Sequence, residues 1–292
     1  MENKDRILHF TLADGAVRGL LIDATETVRE AQRLHSTSAV ATAALGRALT
    51  GTAMLAATLK EPNASVTLTL DGGGPLGKIV CVGDGQSVRG MVTNPLATLP
   101  LKDGKLNVGD AVGRHGRLSI VKDLRLKSPY IGQIEIQTGE IAADLAWYFV
   151  KSEQSPSLVS LGVVASDVAV AAAGGVLLQP MPGCPDGLID QLEFRSPIYG
   201  AIASELQYET LENLFALWFD GMQPALLSTA PLAYRCPCSR KRMERALISL
   251  GTQELTRIIA DEVEGAELVC HFCNEKYHFT THDLIRLLNQ IR

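Results

Sequence analysis

Cys236-Pro237-Cys238 and, 31 residues further on, Cys270-His271-Phe272-Cys273 are the residues of this chain best suited to chemistry. A C-x-C and a C-x-x-C each place two thiolates on one short stretch of backbone, and two such clamps complete the tetrahedral site that zinc prefers. Thiolate is a soft ligand, which favours zinc over magnesium or calcium. Four sulfurs also close the site and leave no position for a reacting water, so the pattern points to structural rather than hydrolytic metal. His271, His278 and His282 lie near the second clamp, and one of them could stand in for a thiolate.

Thiols separated by one or two residues can also pair with each other once the metal leaves, so oxidant and metal compete for the same sulfurs. Arg235, Arg240, Lys241 and Arg242 flank the first clamp and would favour thiolate, the form an oxidant attacks. The same cations read equally well as a solvated helix face, or as phosphate contacts of a small zinc module on nucleic acid. Residues 232–292 carry nine Lys or Arg against eight Asp or Glu, a net of +1, which offers a polyanion little. A third reading makes Cys270 and Cys273 the dithiol of an oxidoreductase.

Other candidates weaken on inspection. Gly72-Gly73-Gly74-Pro75-Leu76-Gly77-Lys78 matches the first seven positions of a phosphate-binding loop, but Ile79 stands where a metal-binding hydroxyl belongs. Residues 79–82 read as strand where a helix should open, so a hairpin turn is expected. Cys81 lies in that apolar run as a core thiol, and Cys184 has no evident base beside it. No catalytic residue is assigned.

The elements that must position the clamps follow from periodicity and turn chemistry. Residues 7–22 alternate around Asp14-Gly15 as a β-hairpin. Helices are expected at about 26–34 and 38–59, the second rich in small residues and suited to packing on all sides. Five strands, at about 65–70, 77–82, 88–93, 117–124 and 130–137, precede a helix around Ile141, Leu145, Tyr148 and Phe149. Strand character then returns at 158–164 and 168–179. Pro180, Pro182 and Pro185 break the chain. Beyond them residues 188–206 and 211–219 are apolar, aromatic-rich and mostly helical in pattern.

The plan is α+β in three parts: a mixed sheet and helix core at 1–179, a mostly helical linker region at 180–231, and a small four-cysteine zinc domain at 232–292. With 292 residues, 46% of them hydrophobic, the chain can bury a large core. A net charge of −5 gives no general attraction to nucleic acid or anionic lipid. The polar start, Met1-Glu2-Asn3-Lys4-Asp5, precedes no apolar run, so a cytoplasmic protein is expected. Arg47 in the middle of residues 38–59 argues against membrane insertion there.

These residues resemble the redox-regulated bacterial chaperones named after the thirty-three-kilodalton heat-shock protein. The resemblance is carried by Cys236-Pro237-Cys238-Ser239-Arg240, Ala246-Leu247, Leu250-Gly251 and Cys270-His271-Phe272-Cys273-Asn274-Glu275-Lys276-Tyr277. Gly139-Glu140-Ile141-Ala142, Ser152-Glu153-Gln154 and Leu45-Gly46-Arg47-Ala48 extend it over nearly the whole chain. It implies one zinc held by Cys236, Cys238, Cys270 and Cys273 in the reduced protein. Oxidation would form Cys236–Cys238 and Cys270–Cys273, release zinc, unfold the C-terminal domain and loosen a metastable linker. The activity implied is ATP-independent holding of unfolding client proteins, not enzymatic catalysis, with a homodimer as the activated form and neither nucleic acid nor membrane as partner. Pro237 departs from flexibility between the first two cysteines and would slow or strain the first disulfide.

Overall fold

The computed structural model describes residues 5–61, 63–261 and 265–291. The chain divides into two compact units, Met1–Arg235 and Cys236–Arg292.

The first unit opens with β1 (Arg6–Leu12) and β2 (Val17–Asp23), joined by the expected tight turn, in which Gly15 adopts a φ of +93°. Helices α1 (Thr25–His35) and α2 (Ala39–Ala57) follow, and Ser38 caps α2 by accepting the Ala41 N–H at 3.3 Å. α2 is long and apolar enough to cross a membrane, but 89% of its apolar window is buried within the protein. Its small residues explain how: a Cβ on Gly51 would come 2.6 Å from Leu145, and one on Gly46 would come 2.8 Å from Val28. Neighbouring elements can therefore close on the helix from several sides.

Next come β3 (Ser65–Asp71), β4 (Ile79–Gly83), β5 (Ser87–Val92), the short α3 (Val108–Val112), β6 (Arg117–Asp123), β7 (Tyr130–Glu135), α4 (Ile141–Ser152), β8 (Leu158–Ala165) and β9 (Val170–Pro180). Residues 72–78 form the connection between β3 and β4, which pair antiparallel. In that connection the Gly74 and Leu76 amides donate to the carbonyls of Val112 and Ala111 at 3.0 and 3.1 Å. These amides are committed to the protein and cannot cradle a phosphate.

Beyond the prolines lie α5 (Asp186–Phe194), α6 (Ser196–Gly200), α7 (Ile202–Glu205) and α8 (Leu211–Trp218), then β10 (Ala225–Pro231) and β11 (Ala233–Tyr234). The residues read as a linker thus fold into the first unit. β10 lies antiparallel to β1 and completes a five-stranded sheet in the order β10-β1-β2-β9-β8. β11 runs parallel to β5 at the rim of a six-stranded sheet, β11-β5-β4-β3-β6-β7. Neither strand was legible in the sequence.

Alternation divides the five-stranded sheet between two cores. Ile7, Leu20, Ile22, Ala173 and Leu177 point into the main core with α1, α2 and the six-stranded sheet. Leu8, Phe10, Leu12, Leu21, Val176 and Leu178 point the other way, into a second core with Leu192, Tyr199, Leu214, Trp218 and Phe219. Phe10 anchors that face, with ring centroids 5.0 Å from Phe215 and 4.7 Å from Phe219.

The second unit contains α9 (Arg240–Ser249), α10 (Gly251–Asp261), β12 (Ala266–Val269), β13 (Lys276–Phe279) and α11 (Thr281–Ile291). β12 and β13 form an antiparallel hairpin. Leu247, Leu255, Phe279, Leu284, Leu287 and Leu288 form its core.

Phe10→Ala should cost about 3–5 kcal/mol of stability, the usual range for a buried phenylalanine. Because Phe10 meets α8 and the residue after it, amide exchange should accelerate over 211–219 more than over β3–β7. Equal acceleration in both regions would contradict the assignment of Phe10 to the second core.

Candidate functional site: a four-sulfur cluster

The two clamps reach one place by different local structures. Cys236-Pro237-Cys238 forms the entry to α9, whose N-cap Ser239 accepts the Arg242 N–H at 3.4 Å. The second clamp is the turn of the β12–β13 hairpin. There the Cys270 N–H donates to the Glu275 carbonyl at 2.9 Å, and the Cys273 and Asn274 amides donate back to the Cys270 carbonyl at 3.3 and 2.8 Å. Asn274 takes the left-handed conformation, φ 57°, that this tight reversal needs.

Together they bring the sulfurs of Cys236, Cys238, Cys270 and Cys273 within 4.8 Å of one another. Sulfurs meet across the clamps, Cys236 to Cys270 at 3.6 Å and Cys238 to Cys273 at 3.3 Å. A tetrahedron with metal–sulfur bonds of about 2.3 Å has edges of about 3.8 Å. The donor set and its spacing therefore fit a metal ion. Among the described residues no histidine joins the cluster.

One contributor escaped the sequence reading. The Tyr277 hydroxyl, on β13, donates to the Cys238 sulfur at 3.2 Å. Burial pushes the Cys236 thiol up to about 11 and raises Cys273 as well. Burial opposes ionisation of Cys238 too, but hydrogen bonds from Tyr277 and the neighbouring thiols outweigh it and hold that thiol below its ordinary value. Charging all four sulfurs in so small a volume requires a cation.

The basic cluster is partly spoken for. The Arg240 guanidinium sits 4.3 Å from the Phe279 ring centroid, and it donates to the His278 carbonyl and to Asp283 at 2.7 and 2.8 Å. Arg242 donates to the Pro237 carbonyl at 3.0 Å, bracing the first clamp. Two of the four cations therefore hold the unit together rather than wait for phosphate. Cys81 is fully buried in the main core and its thiol is pushed well above the ordinary range by desolvation, while Cys184 packs at the margin of the second core.

A family profile described as Hsp33 protein matches residues 5–280. The 33 kDa chaperonin of Clostridium beijerinckii is 43% identical over 293 residues, covering 99% of this chain and 100% of that protein. The 33 kDa chaperonin of Ruminiclostridium cellulolyticum is 42% identical over 98% of both chains. Among solved structures, the 33 kDa chaperonin of Thermotoga maritima superposes with a TM-score of 0.89 at 34% identity, over 98% of both chains. With the family profile, the near full-length relatives and the shared fold in agreement, this chain belongs to the Hsp33 family of chaperones.

Proposed function

We propose that the chain is a redox-regulated, ATP-independent holdase of the cytoplasm, held inactive while Cys236, Cys238, Cys270 and Cys273 bind one zinc ion. The observation that carries this reading is the convergence of four sulfurs within 4.8 Å in a unit whose core, among the described residues, holds six buried side chains. So small a core needs a further cross-link to persist. Zinc, when bound, supplies that cross-link and no reaction chemistry, because four sulfurs leave no open position.

The same sulfurs are the trigger. Each clamp gives up two electrons, its two thiolates forming one disulfide, while one peroxide and two protons become two waters. In the folded unit sulfurs also meet across the clamps, at 3.6 and 3.3 Å. Once the unit opens, those cross-clamp partners, 34 and 35 residues apart, must close a long loop, whereas neighbours in sequence stay together. Local pairing, Cys236–Cys238 and Cys270–Cys273, then prevails, with Pro237 setting the pace of the first.

The client-binding side of the reading is supported by α5 to α8. These are helices of four to nine residues, too short to persist without tertiary packing. These helices and the turn between α7 and α8 already carry exposed apolar side chains, Phe194 at 86%, Tyr208 at 84% and Leu217 at 70%. Their release from Phe10 and its neighbours would add the aromatic second core to that surface. A linker region at 180–231 that lets go in this way, between a core at 1–179 and a zinc domain at 232–292, is the proposed division of labour. Unfolding proteins are the partners, and a homodimer is the activated form.

Reduced protein should contain one zinc per chain with four sulfurs at about 2.3 Å by X-ray absorption. Nitrogen or oxygen in that shell would sink the ligand assignment. Tyr277→Phe, which removes a hydrogen bond to a ligand sulfur, should weaken retention against a chelator about tenfold.

Treatment with peroxide or hypochlorous acid at elevated temperature should release the zinc and yield Cys236–Cys238 and Cys270–Cys273 by peptide mapping. It should also switch on suppression of aggregation of a thermally unfolding protein without ATP. Mainly cross-clamp disulfides, or metal loss with no gain in holding, would contradict the mechanism.

A stop after Arg235 should give soluble protein that holds clients even when reduced. If the zinc unit stabilises the packed state by only about 3 kcal/mol, its loss shifts the population about a hundredfold. A truncated protein that keeps residues 186–219 resistant to protease and fails to hold clients would show that the zinc unit is no lock.

A further inference from the structure

On its main-core face the five-stranded sheet aligns His9, Leu20 and Leu177 in one row across β1, β2 and β9, with Arg18 and Gln179 paired in a neighbouring row. α2 ends at Ala57, and just beyond it Leu59 and Lys60 border a groove of about 320 Å³ over these residues. Leu227 of β10 also lines it. The volume lies at the lower end of the range for small-molecule sites.

The chemistry of the groove is one-sided. Leu20, Leu59, Leu177 and Leu227 make its lining largely apolar, and Arg18 and Lys60 are its charged residues. Among the described residues no Asp or Glu lines it. Burial holds His9 below its ordinary value, so its ring is neutral at pH 7 and the positive charge is that of Arg18 and Lys60.

Arg18 is fixed in place from below. Its Nε–H donates to Gln179 Oε1 at 2.8 Å, and Gln179, only 1% exposed, donates through Nε2 to the Ser157 hydroxyl at 2.7 Å. Among the described residues nothing pairs with the two terminal nitrogens of the guanidinium. A planar pair of donors matches the two oxygens of a carboxylate. The nearby helix end does not compete for them, because the Leu55 and Ala56 carbonyls accept the Thr58 and Leu59 amides at 3.2 and 3.1 Å.

We propose that this groove binds a medium-chain monocarboxylate, with the carboxylate on Arg18 and Lys60 and the alkyl chain along Leu20, Leu59, Leu177 and Leu227. An apolar trough with an oriented cation and no acid at its rim is complementary to an amphiphilic anion and to neither a neutral nor a cationic one. Its consequence for activation rests on the holdase reading above. Arg18, Leu20 and Leu177 belong to strands that stay, whereas Leu227 belongs to the residues 180–231 that let go. A ligand touching both binds the packed form more tightly and opposes release. At ten times its dissociation constant it favours the packed form by up to about elevenfold.

The test uses the full-length protein, reduced and zinc-loaded, with decanoate at submicellar concentration, read by calorimetry and amide chemical shifts. Decanoate should bind once per chain and shift the amides of residues 9, 18, 20, 59 and 177. Decanol, which lacks the charge, and decyltrimethylammonium, which reverses it, should each bind at least tenfold more weakly. Arg18→Gln should weaken decanoate binding about tenfold and leave decanol binding within twofold. Lys78→Gln, which removes a cation paired with Asp71 of β3, should change neither. In the oxidised protein, decanoate should slow proteolysis within 186–219 at least threefold, and Arg18→Gln should abolish that protection.

Equal affinity for decanol, shifts confined to α5–α8, or no saturable binding would overturn the site, and none of these results depends on a variant folding. Binding in the groove with no protection of 186–219 in an active holdase would overturn its coupling to release. An oxidised protein that suppresses no aggregation would defeat the holdase reading and the coupling with it, while decanoate binding to the reduced protein would still decide the site.

Discussion

Four sulfurs confined within 4.8 Å cannot all be thiolates unless a cation sits among them, and the second unit is built around that constraint. Among the described residues its apolar core holds six buried side chains, five leucines and Phe279, drawn from three helices and one strand. Around the sulfurs the remaining interactions are small and specific: the Tyr277 hydroxyl on Cys238, Arg242 on the Pro237 carbonyl, and Arg240 bridging the Phe279 ring to Asp283. None of these supplies the cohesion of a large core. On the proposed reading the state of the sulfurs governs whether the unit is folded, because metal binding and folding are coupled in small thiolate sites.

The first unit is organised on the opposite principle. Its main core encloses α2 with small residues, branched aliphatics and two sheets, and little in it titrates or reacts under ordinary conditions. The second core, on the other face of the same five-stranded sheet, is aromatic and is roofed by four short helices. Those helices owe their order to Phe10, Leu12 and Leu178 beneath them rather than to their own length. One sheet thus carries two cores, one on each face, and the proposed release of the second would leave the first in place.

The two faces also explain why β10 matters. It is the last strand of its sheet in chain order, and the Leu232 N–H just beyond it donates to the Asp5 carbonyl. The Asp5 carboxylate in turn accepts the Glu26 and Thr27 amides at 2.9 and 2.6 Å, capping α1. Asp5 thus ties the first helix and the end of the first unit at one point.

Metal-ligand spacing is a local property, so Cys236, Cys238, Cys270 and Cys273 could be singled out from the sequence, and the alternation of 65–70 or 117–124 showed strands for the same reason. Asp14-Gly15 marked its turn because few other pairs tolerate left-handed backbone, and Ile79 after the glycine run removed the phosphate-binding reading before any coordinates did. What stayed hidden was every feature that depends on partners far apart in the chain. Residues 225–231 carry no clean alternation, and only pairing with β1 makes them a strand. Tyr277 became part of the sulfur site because hairpin register aims it at Cys238, a residue on another element. Sequence by itself determined the chemistry available, four soft ligands and an apolar, aromatic stretch that needed cover. Tertiary structure alone decided which sulfurs are neighbours, which sheet face supplies the cover, and which strand edge is left open, because those are matters of long-range contact and not of local backbone preference.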